Sequence, residues 1–312
     1  MRILVGTLYS GEHEFDRCVE AVRNQRHACA EHLIIRGLPL RDAADQLFAR
    51  FFSSREFDLL VKVDADMVLT HDGIFEGIVS RFQDEPGLQL LSIGVQDFYT
   101  DQMIGSLNAY RNTIPWEPCP DRLAPDRVVV PKDRRANDDR TLAPAAWHCP
   151  DPWPVQAFHF GLHRGAKTYA AARLRDMQQL KAQLGMLDKT LRTYRRRADR
   201  RLLLAVLGGE LAMTGRFGAQ FVSYQDPAVV AAFGPYEHAP VAELEAAVVR
   251  LRRGNWGFVP PALRIEMLRP DWITLPFRLL VPYSLRKAAS KAVAKRWRRV
   301  AKWSRRTFAW RY

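Results

Sequence analysis

The sequence predicts an α/β protein whose mainly parallel sheet is flanked by helices on both faces. Strand-like apolar runs alternate with segments of helical periodicity over about the first 95 residues, which is the order typical of a parallel sheet with crossover helices. One run ends in two aspartates, Asp64 and Asp66, and open α/β sheets bind ligands at the carboxyl ends of their strands. The first turn lacks a GxGxxG pattern, which argues against a standard dinucleotide site.

The N-terminal elements follow from the spacing of their apolar residues. Short runs rich in Leu, Val, Ile and aromatic residues predict buried strands, and apolar residues three and four apart predict helices. In chain order these are a strand at residues 2–7, a turn at 9–12, a helix at 15–25, a strand at 32–35, a helix at 43–52, a strand at 57–64, a helix at 73–82 and a strand at 88–95.

The second half of the chain is predicted to be irregular at first and then helical. Residues 108–154 are rich in proline and charge. Long irregular segments inside a domain are often lids or binding loops, although a disordered insertion fits the same composition. The valine run 128–130 predicts one short strand there. Helices are then predicted at residues 154–174, 186–207 and 239–252.

The composition is that of an ordinary globular protein. The chain has 312 residues, 47% of them hydrophobic. Its four cysteines show no CxxC spacing, which favours free thiols in a reducing compartment over a disulfide framework or a zinc site. No apolar run reaches the about 18 residues of a membrane span, and the N-terminal run is too short for a signal peptide. A cytoplasmic protein is the simplest expectation.

The net charge of +13 is concentrated in the C-terminal tail. Residues 286–312 contain 11 Lys and Arg and no acidic residue, whereas the first 285 residues carry 36 basic and 34 acidic side chains. Apolar and aromatic residues, Trp297 and Trp303 among them, recur between the basic ones. This pattern is typical of an interfacial helix on an anionic membrane. A solvated tail and an RNA-binding arm are the alternatives.

Asp64 and Asp66 are the first candidate site residues. Side chains two apart on an extended strand point the same way, and two adjacent carboxylates repel each other unless a cation lies between them. The pair therefore predicts a divalent metal and, through it, a bound phosphate. A solvated turn after the strand is the alternative.

Two histidines of the predicted helix at 154–174 are candidate metal ligands. His159 and His163 are four residues apart and share one helix face, with His148 just upstream. Imidazole is a common ligand that could complete the coordination of the carboxylates. His163 is the first choice and His159 the second, and ordinary half-buried histidines are the alternative.

Two further aspartates are candidates for a general base. Asp151 directly precedes the same helix, where it could cap the helix or remove a proton from an attacking hydroxyl. Asp97 follows the strand at 88–95 and would lie on the same sheet edge as Asp64 and Asp66.

Three segments resemble family 2-type glycosyltransferases of the GT-A fold. Residues 3–12, with Cys18, Asn24 and Gln25, are similar to the first strand and helix of that family. Residues 63–67, Val-Asp-Ala-Asp-Met, resemble its DxD motif, and residues 157–164 lie about 90 positions further on, where such enzymes place acceptor-side and metal-binding groups. The likeness covers roughly residues 1–175.

The resemblance implies a fold and a function. The fold would be a GT-A-like sheet with a helical basic extension, divided into a catalytic core at 1–175 with an acceptor-side region at 108–154, a helical completion at 176–270 and a membrane-associating tail at 271–312. The activity would be transfer of a sugar from a nucleotide-sugar donor to a glycan or lipid-linked acceptor, as in polysaccharide biosynthesis at the inner face of the cell membrane. The cofactor would be Mn²⁺ or Mg²⁺.

The resemblance also assigns roles near the first strand. Thr7, Tyr9 and Glu12 would hold the nucleoside, and Asp64 and Asp66 the metal and the diphosphate. Lys62 is expected on the other face of the strand and receives no role in phosphate binding. The rival functions are another metal-dependent phosphate enzyme, such as a nucleotidyltransferase, and a nucleic-acid-binding protein that uses the basic tail. The nearly neutral body argues against nucleic acid.

Overall fold

The structure is a computed structural model that describes residues 1–119, 126–138, 140–215, 217 and 223–255. Met1–Asn255 form one compact unit. The predicted basic extension at 271–312 lies outside the described residues.

A single mixed sheet forms the centre of this unit. Its strands are β1 (Ile3–Tyr9), β2 (Glu31–Arg36), β3 (Leu59–Lys62), β4 (Met67–Leu69), β5 (Leu90–Asp97), β6 (Gln102–Arg111), β7 (Arg135–Asp138) and β8 (Ala146–His148). The strand order is β2-β1-β3-β6-β5-β8-β4, with β7 also beside β5. β1 is parallel to β2 and β3, and β5 is parallel to β7 and β8. β6 runs antiparallel to β3 and β5, and β4 antiparallel to β8.

Helices cover both faces of the sheet. They are α1 (Phe15–Arg23), α2 (Leu40–Phe52), α3 (Ile74–Asp84), α4 (Pro154–Leu174), α5 (Met177–Arg197), α6 (Arg200–Ala212), α7 (Pro227–Phe233) and α8 (Val241–Asn255). Alternate residues of β1 enter opposite cores, because side chains alternate along a strand. Ile3 and Val5 pack with α1 and α3, whereas Leu4 packs with α2. A third core joins α4, α6, α7 and α8.

The predicted α/β class with flanking helices is confirmed, and the arrangement is consistent with a GT-A-like fold. The sheet is more mixed than predicted, because β4, β6, β7 and β8 were not expected from the sequence. Part of the region predicted to be irregular, 108–154, therefore supplies strands to the sheet. The valines at 128–130 form no strand, and Val128 and Val130 are instead buried in the α2 core.

The helix predicted at 186–207 is two helices. The break falls at Ala198, whose φ of 51° is left-handed, and at Asp199, whose carboxylate accepts a hydrogen bond from the Arg201 amide at the start of α6. A side-chain cap of this kind starts a new helix. Among the described residues, no helix is long and apolar enough to cross a membrane.

Candidate active site

Neighbouring strands bring a carboxylate, an imidazole and a thiol together at one edge of the sheet. Asp66 lies in the turn between β3 and β4, and pairing of β4 with β8 sets Met67 opposite His148. β8 also runs beside the end of β5, where Asp97 is the register partner of His148. The Cys149 amide donates a hydrogen bond to the Asp66 carbonyl at 2.7 Å. The strand pairing alone therefore fixes these side chains as neighbours.

The side chains of this group are in direct contact. His148 Nδ1 lies 2.7 Å from Asp97 Oδ1, and its Nε2 lies 3.4 Å from Asp66 Oδ2. The Cys149 thiol donates to the same Asp66 oxygen at 3.0 Å. The ligand atoms of Asp66, His148 and Cys149 all lie within 4.8 Å of one another. We call these three residues the Asp-His-Cys group.

The imidazole and the carboxylates of this site shift each other's pKa values. Burial opposes ionisation of Asp66, but the charge of His148 and the hydrogen bonds from His148 and Cys149 lower the pKa of Asp66 to about 2. Burial likewise opposes protonation of His148, yet Cys149, Asp66 and Asp97 raise the pKa of His148 well above its usual value. Without a metal ion, this environment favours a proton on His148 between two carboxylates, and a metal ion bound through Nε2 would replace that proton.

The group fits a divalent metal ion. Asp66 Oδ1 is buried and has no hydrogen-bond partner among the described residues, and leaving such an atom without a partner costs free energy. Carboxylate, imidazole and thiolate are all metal ligands. Asp97 would act behind the ligands, because a carboxylate on Nδ1 fixes the tautomer and orientation of a metal-binding imidazole.

Asp64 lies on the same side of the strand as Lys62, so the expectation for Lys62 was wrong. Residues two apart on a strand point the same way, and Lys62 Nζ lies 2.5 Å from Asp64 Oδ1 and 3.1 Å from Asp126 Oδ2. Burial and repulsion from Asp66 raise the pKa of Asp64 in spite of Lys62. Among the described residues, Asp64 lies outside the Asp-His-Cys group.

The residues predicted to hold a nucleoside surround the end of β1. Thr7 is fully buried, and its hydroxyl donates to the Val63 carbonyl at 2.9 Å, which joins β1 to the end of β3. The ring of Tyr9 lies against Phe15, with centroids 4.1 Å apart. The Glu12 carboxylate accepts hydrogen bonds from the backbone amide and hydroxyl of Ser10. Tyr9 and Glu12 are thus placed at the sheet edge, whereas Thr7 lies inside the sheet.

Glu14 is a buried carboxylate that the sequence did not single out. It is 1% exposed, accepts hydrogen bonds from the Gln156 side chain at 2.8 Å and the Asp151 amide at 3.1 Å, and so ties α1 to α4. Burial, followed by the charge of Asp66, raises the pKa of Glu14 in spite of the Gln156 hydrogen bond. Glu14 therefore adds to the negative potential near Asp66.

His159 and His163 lie on α4. Among the described residues, neither belongs to the Asp-His-Cys group. Their ring centroids are 6.5 Å apart. Burial, then the charges of Lys167 and Arg164, lower the pKa of His163 well below its usual value, and burial lowers the pKa of His159 to about 4. These neutral imidazoles share a helix face with two cations, so this face is positively charged.

The two candidate bases differ in access to solvent. Asp97 is fully buried, and its oxygens accept hydrogen bonds from Thr100 and contact His148. It therefore positions the imidazole and cannot meet an acceptor hydroxyl. The Asp151 side chain is 57% exposed and paired with Arg201 at 2.5 Å. It does not cap α4, whose N-cap position is Trp153.

Comparison with known proteins gives no family assignment. No family model matches the chain, and no curated protein matches it. Solved structures do match, at low similarity. A197 from STIV is 11% identical with a TM-score of 0.28, over 36% of this chain and 65% of that chain, so the chain spans less than two thirds of that protein.

Two other matched structures are glycosyltransferases. One is involved in the glycosylation of the major capsid of PBCV-1, with 12% identity, a TM-score of 0.31, and coverage of 46% of this chain and 85% of that chain. The other is a mannosyltransferase from Pyrobaculum calidifontis in complex with GDP-Man and Mn²⁺, with 12% identity, a TM-score of 0.29, and coverage of 82% and 87%. At these scores no residue role is transferred to this chain.

Proposed function

We propose that the protein is a metal-dependent glycosyltransferase that moves a sugar from a nucleotide-sugar donor to a glycan or lipid-linked acceptor. The observation that carries the proposal is the Asp-His-Cys group at the carboxyl edge of the sheet, with Asp66 Oδ1 buried and without a partner among the described residues. Asp66 of this group follows β3, which lies on the opposite side of β1 from β2. Open α/β sheets bind nucleotides at such a switch in strand order.

The donor diphosphate would be bound by a metal ion and by cationic side chains of α4. Asp66 and His148 would hold Mn²⁺ or Mg²⁺, which supplies positive charge that stabilises a departing diphosphate. Burial lowers the pKa of the Arg164 guanidinium on α4, and the charges of Asp97, Cys149 and Asp66 partly offset this effect, which places Arg164 near the site. The charge of Lys62, and to a smaller extent that of Lys167, lowers the pKa of Asp126. These cations support diphosphate binding between the sheet edge and α4.

The nucleoside would lie against the end of β1. Tyr9, Phe15 and Arg36 form a wall there, with the Arg36 guanidinium 4.7 Å and 4.6 Å from the two ring centroids. Aromatic and guanidinium faces can stack on a base. Glu12 and Asp64 place carboxylate oxygens at the same edge, and these can accept hydrogen bonds from ribose hydroxyls.

Asp151 is the carboxylate best placed to meet an acceptor. Glycosyl transfer has an oxocarbenium-like transition state, and a carboxylate can remove the proton of the attacking hydroxyl. Asp151 is exposed and follows Cys149 by two residues, and its amide is bonded to Glu14 beside the site. Its ion pair with Arg201 Nη1, at 2.5 Å, orients the carboxylate at the surface beside the site.

We propose further that the protein acts at an anionic membrane surface. The basic tail from residue 285 onward would bind anionic lipid, since each Lys or Arg near such a surface contributes about 1 kcal/mol. The acceptor would then be a lipid-linked or growing glycan at the cytoplasmic face of the membrane, reached through residues 108–154. Nucleic acid is not proposed as a partner.

Incubation with a panel of nucleotide sugars and Mn²⁺, followed by measurement of nucleoside diphosphate release, tests the function. We expect release from one donor class. Turnover of nucleoside triphosphates with no release from any nucleotide sugar would instead support a nucleotidyltransferase.

Asp66→Ala is the decisive variant. It removes a carboxylate from the ion and should abolish turnover while leaving the thermal unfolding temperature within a few degrees of the wild type. Asp72→Ala is the control, because Asp72 pairs with Arg26 on the surface. Wild-type turnover in Asp66→Ala would refute the metal-dependent mechanism.

A further inference from the structure

The Asp-His-Cys group has the dimensions of a tetrahedral metal site. The separations are 3.0 Å for Cys149 Sγ to Asp66 Oδ2, 3.4 Å for His148 Nε2 to Asp66 Oδ2, and 3.8 Å for Cys149 Sγ to His148 Nε2. Ligands at about 2.0 Å (N, O) and 2.3 Å (S) from a tetrahedral ion are about 3.3 to 3.5 Å apart. One separation lies within this range, and the other two lie about 0.3 Å below and above it. Three side chains would leave a fourth position for a phosphate oxygen.

The surroundings of the thiol point to a ligand that is not another side chain. Asp66 Oδ1 is buried and unpartnered within the described part of the chain, and so is the hydroxyl of Tyr99. Tyr99 is fully buried, and its ring lies edge-on to His148 at 6.4 Å between centroids. Two buried polar atoms without partners in the described part of the chain therefore belong to residues that lie against His148.

The same atoms do not fit a nucleophilic cysteine. A catalytic triad of cysteine, histidine and aspartate would connect its side chains in the order Cys149, His148, Asp97. Cys149, however, is only 2% exposed. A nucleophilic cysteine needs access to substrate, which the burial of Cys149 denies it. The thiol also lies nearer to Asp66 Oδ2, at 3.0 Å, than to His148 Nε2, at 3.8 Å.

We infer that Cys149 is a thiolate ligand of the divalent ion, together with Asp66 and His148, and that this ligand set favours Zn²⁺ and Co²⁺ over Mg²⁺. The inference rests on the proposed function only in that the site binds a divalent ion. Thiolate and imidazole suit zinc-like ions, whereas Mg²⁺ prefers six oxygen ligands. The histidines of α4 and Asp64 would then contact the donor or shape the site without binding the ion.

Cobalt reports directly on the thiolate, because a Co²⁺–thiolate bond gives a charge-transfer band in the near ultraviolet. The apo protein is titrated with Co²⁺, with and without a nucleoside diphosphate, and the spectrum and Kd are recorded. The variants are Cys149→Ser and Cys149→Ala, with Cys29→Ser as the matched control. Cys29 is a half-buried thiol that packs on the core formed with α1 and α3. Calorimetry gives the Kd values for Mg²⁺, Mn²⁺ and Zn²⁺.

We expect the band in the wild type and in Cys29→Ser and its loss in both Cys149 variants. Zn²⁺ affinity should fall at least about tenfold in those variants, since even residues behind the ligands contribute about 10- to 100-fold. The Mg²⁺ affinity should change less, so that the preference for Zn²⁺ over Mg²⁺ narrows.

The wild-type spectrum keeps the test valid even if the Cys149 variants fold poorly. Co²⁺ binding without a thiolate band, but dependent on Asp66, would overturn the role of Cys149 and leave the proposed function intact. Absence of binding for every ion, with or without nucleotide, would overturn the metal-dependent function as well. A band that persists in a folded Cys149 variant would place the thiolate at another cysteine and refute the inference.

Discussion

At the scale of single residues, His148 controls the geometry of the site. It contacts Asp97 through Nδ1 and faces Asp66 through Nε2. Asp97 is held in turn by the amide and hydroxyl of Thr100, at 2.7 and 2.6 Å. Because this carboxylate is buried and fixed, it holds the imidazole in one orientation, with Nε2 directed toward Asp66 and the proposed metal position.

Asp97→Asn should weaken metal binding without removing a ligand. The amide can offer its NH₂ group to His148 Nδ1, which reverses the hydrogen bond and favours the wrong tautomer. We expect the Kd for Mn²⁺ or Zn²⁺ to rise about 10- to 100-fold, measured by calorimetry. The control is Asp101→Asn, since Asp101 is 46% exposed in its side chain and pairs with Arg196. An unchanged Kd in Asp97→Asn would contradict the positioning role.

His159 and His163 make the fold sensitive to acid. Burial lowers the pKa of His159 to about 4 and that of His163 well below its usual value, whereas histidines of the unfolded chain titrate near about 6.5. The unfolded state therefore binds protons first as the pH falls. The stability contributed by the neutral rings is complete above about pH 6.5 and is lost progressively toward pH 4.

Replacing His163 should reduce this acid sensitivity. Between pH 7 and 5.5, His163→Gln should lose about 1 kcal/mol less of its free energy of unfolding than the wild type, as measured from urea midpoints. His238→Gln is the control, because that side chain is 92% exposed. Parallel pH profiles for the wild type and His163→Gln would show that the His163 imidazole is not held in its neutral form.

The sequence predicted one of the three residues of the Asp-His-Cys group as a ligand, Asp66, and did not choose the other two for a physical reason. Asp64 and Asp66 follow a strongly apolar strand, so their position at the sheet edge could be inferred locally. His148 and Cys149 reach Asp66 only because β8, a strand of three residues, pairs with both β4 and β5. Such pairing between distant segments leaves no periodic signal, and the only local sign was a histidine and a cysteine placed just before a helix.

At the scale of elements, the contact of α4 with α6 depends on glycine. A Cβ at Gly161 of α4 would lie 1.7 Å from the Ala205 carbonyl oxygen of α6, and one at Gly165 would lie 2.1 Å from the Gly209 carbonyl oxygen. The two backbones therefore touch, and α4 carries His159, His163 and Arg164 at the position set by this contact. Separation of the helices would move the cationic face away from the sheet edge.

Gly161→Ala should force these helices apart. The clash is with backbone and cannot be relieved by a side-chain rotation, so we expect a loss of about 3 kcal/mol or more in the free energy of unfolding. Gly185→Ala in α5 is the matched control, because nothing lies within 4 Å of a Cβ there. That change should stabilise the protein by up to about 1 kcal/mol. Equal unfolding midpoints for the two variants in urea would contradict the close packing.

The elements that sequence predicted well are those with long periodic patterns. The bounds of α4 agree with the prediction of 154–174, because its apolar spacing and the proline in its first turn are local signals. β4, β7 and β8 are three to four residues long. So short a strand is defined by its partners and not by its own composition.

At the scale of the whole molecule, charge divides the chain into a nearly neutral body and a basic tail. Residues 1–285 carry 36 basic and 34 acidic side chains, and 286–312 carry 11 basic and no acidic ones. Several arginines of the described body are paired within it, as Arg192 is with Asp188 and Arg252 with Glu210. The body therefore offers little net attraction to an anionic surface, and the tail is the part expected to bind one.

Removal of residues 271–312 should separate membrane binding from chemistry. The full chain should sediment with liposomes that contain anionic lipid, and added salt should release it, because charge attraction is screened within about 10 Å at 0.1 M salt. The truncated chain keeps the compact unit Met1–Asn255 and should remain in the supernatant while still releasing nucleoside diphosphate from the donor with water as acceptor.

Full-length protein that does not bind anionic liposomes but binds single-stranded RNA would refute the membrane role and favour an RNA-binding arm. A variant with five tail Lys and Arg residues changed to Gln, otherwise of full length, distinguishes the effect of charge from that of length, since only loss of charge should abolish the salt-sensitive part of binding.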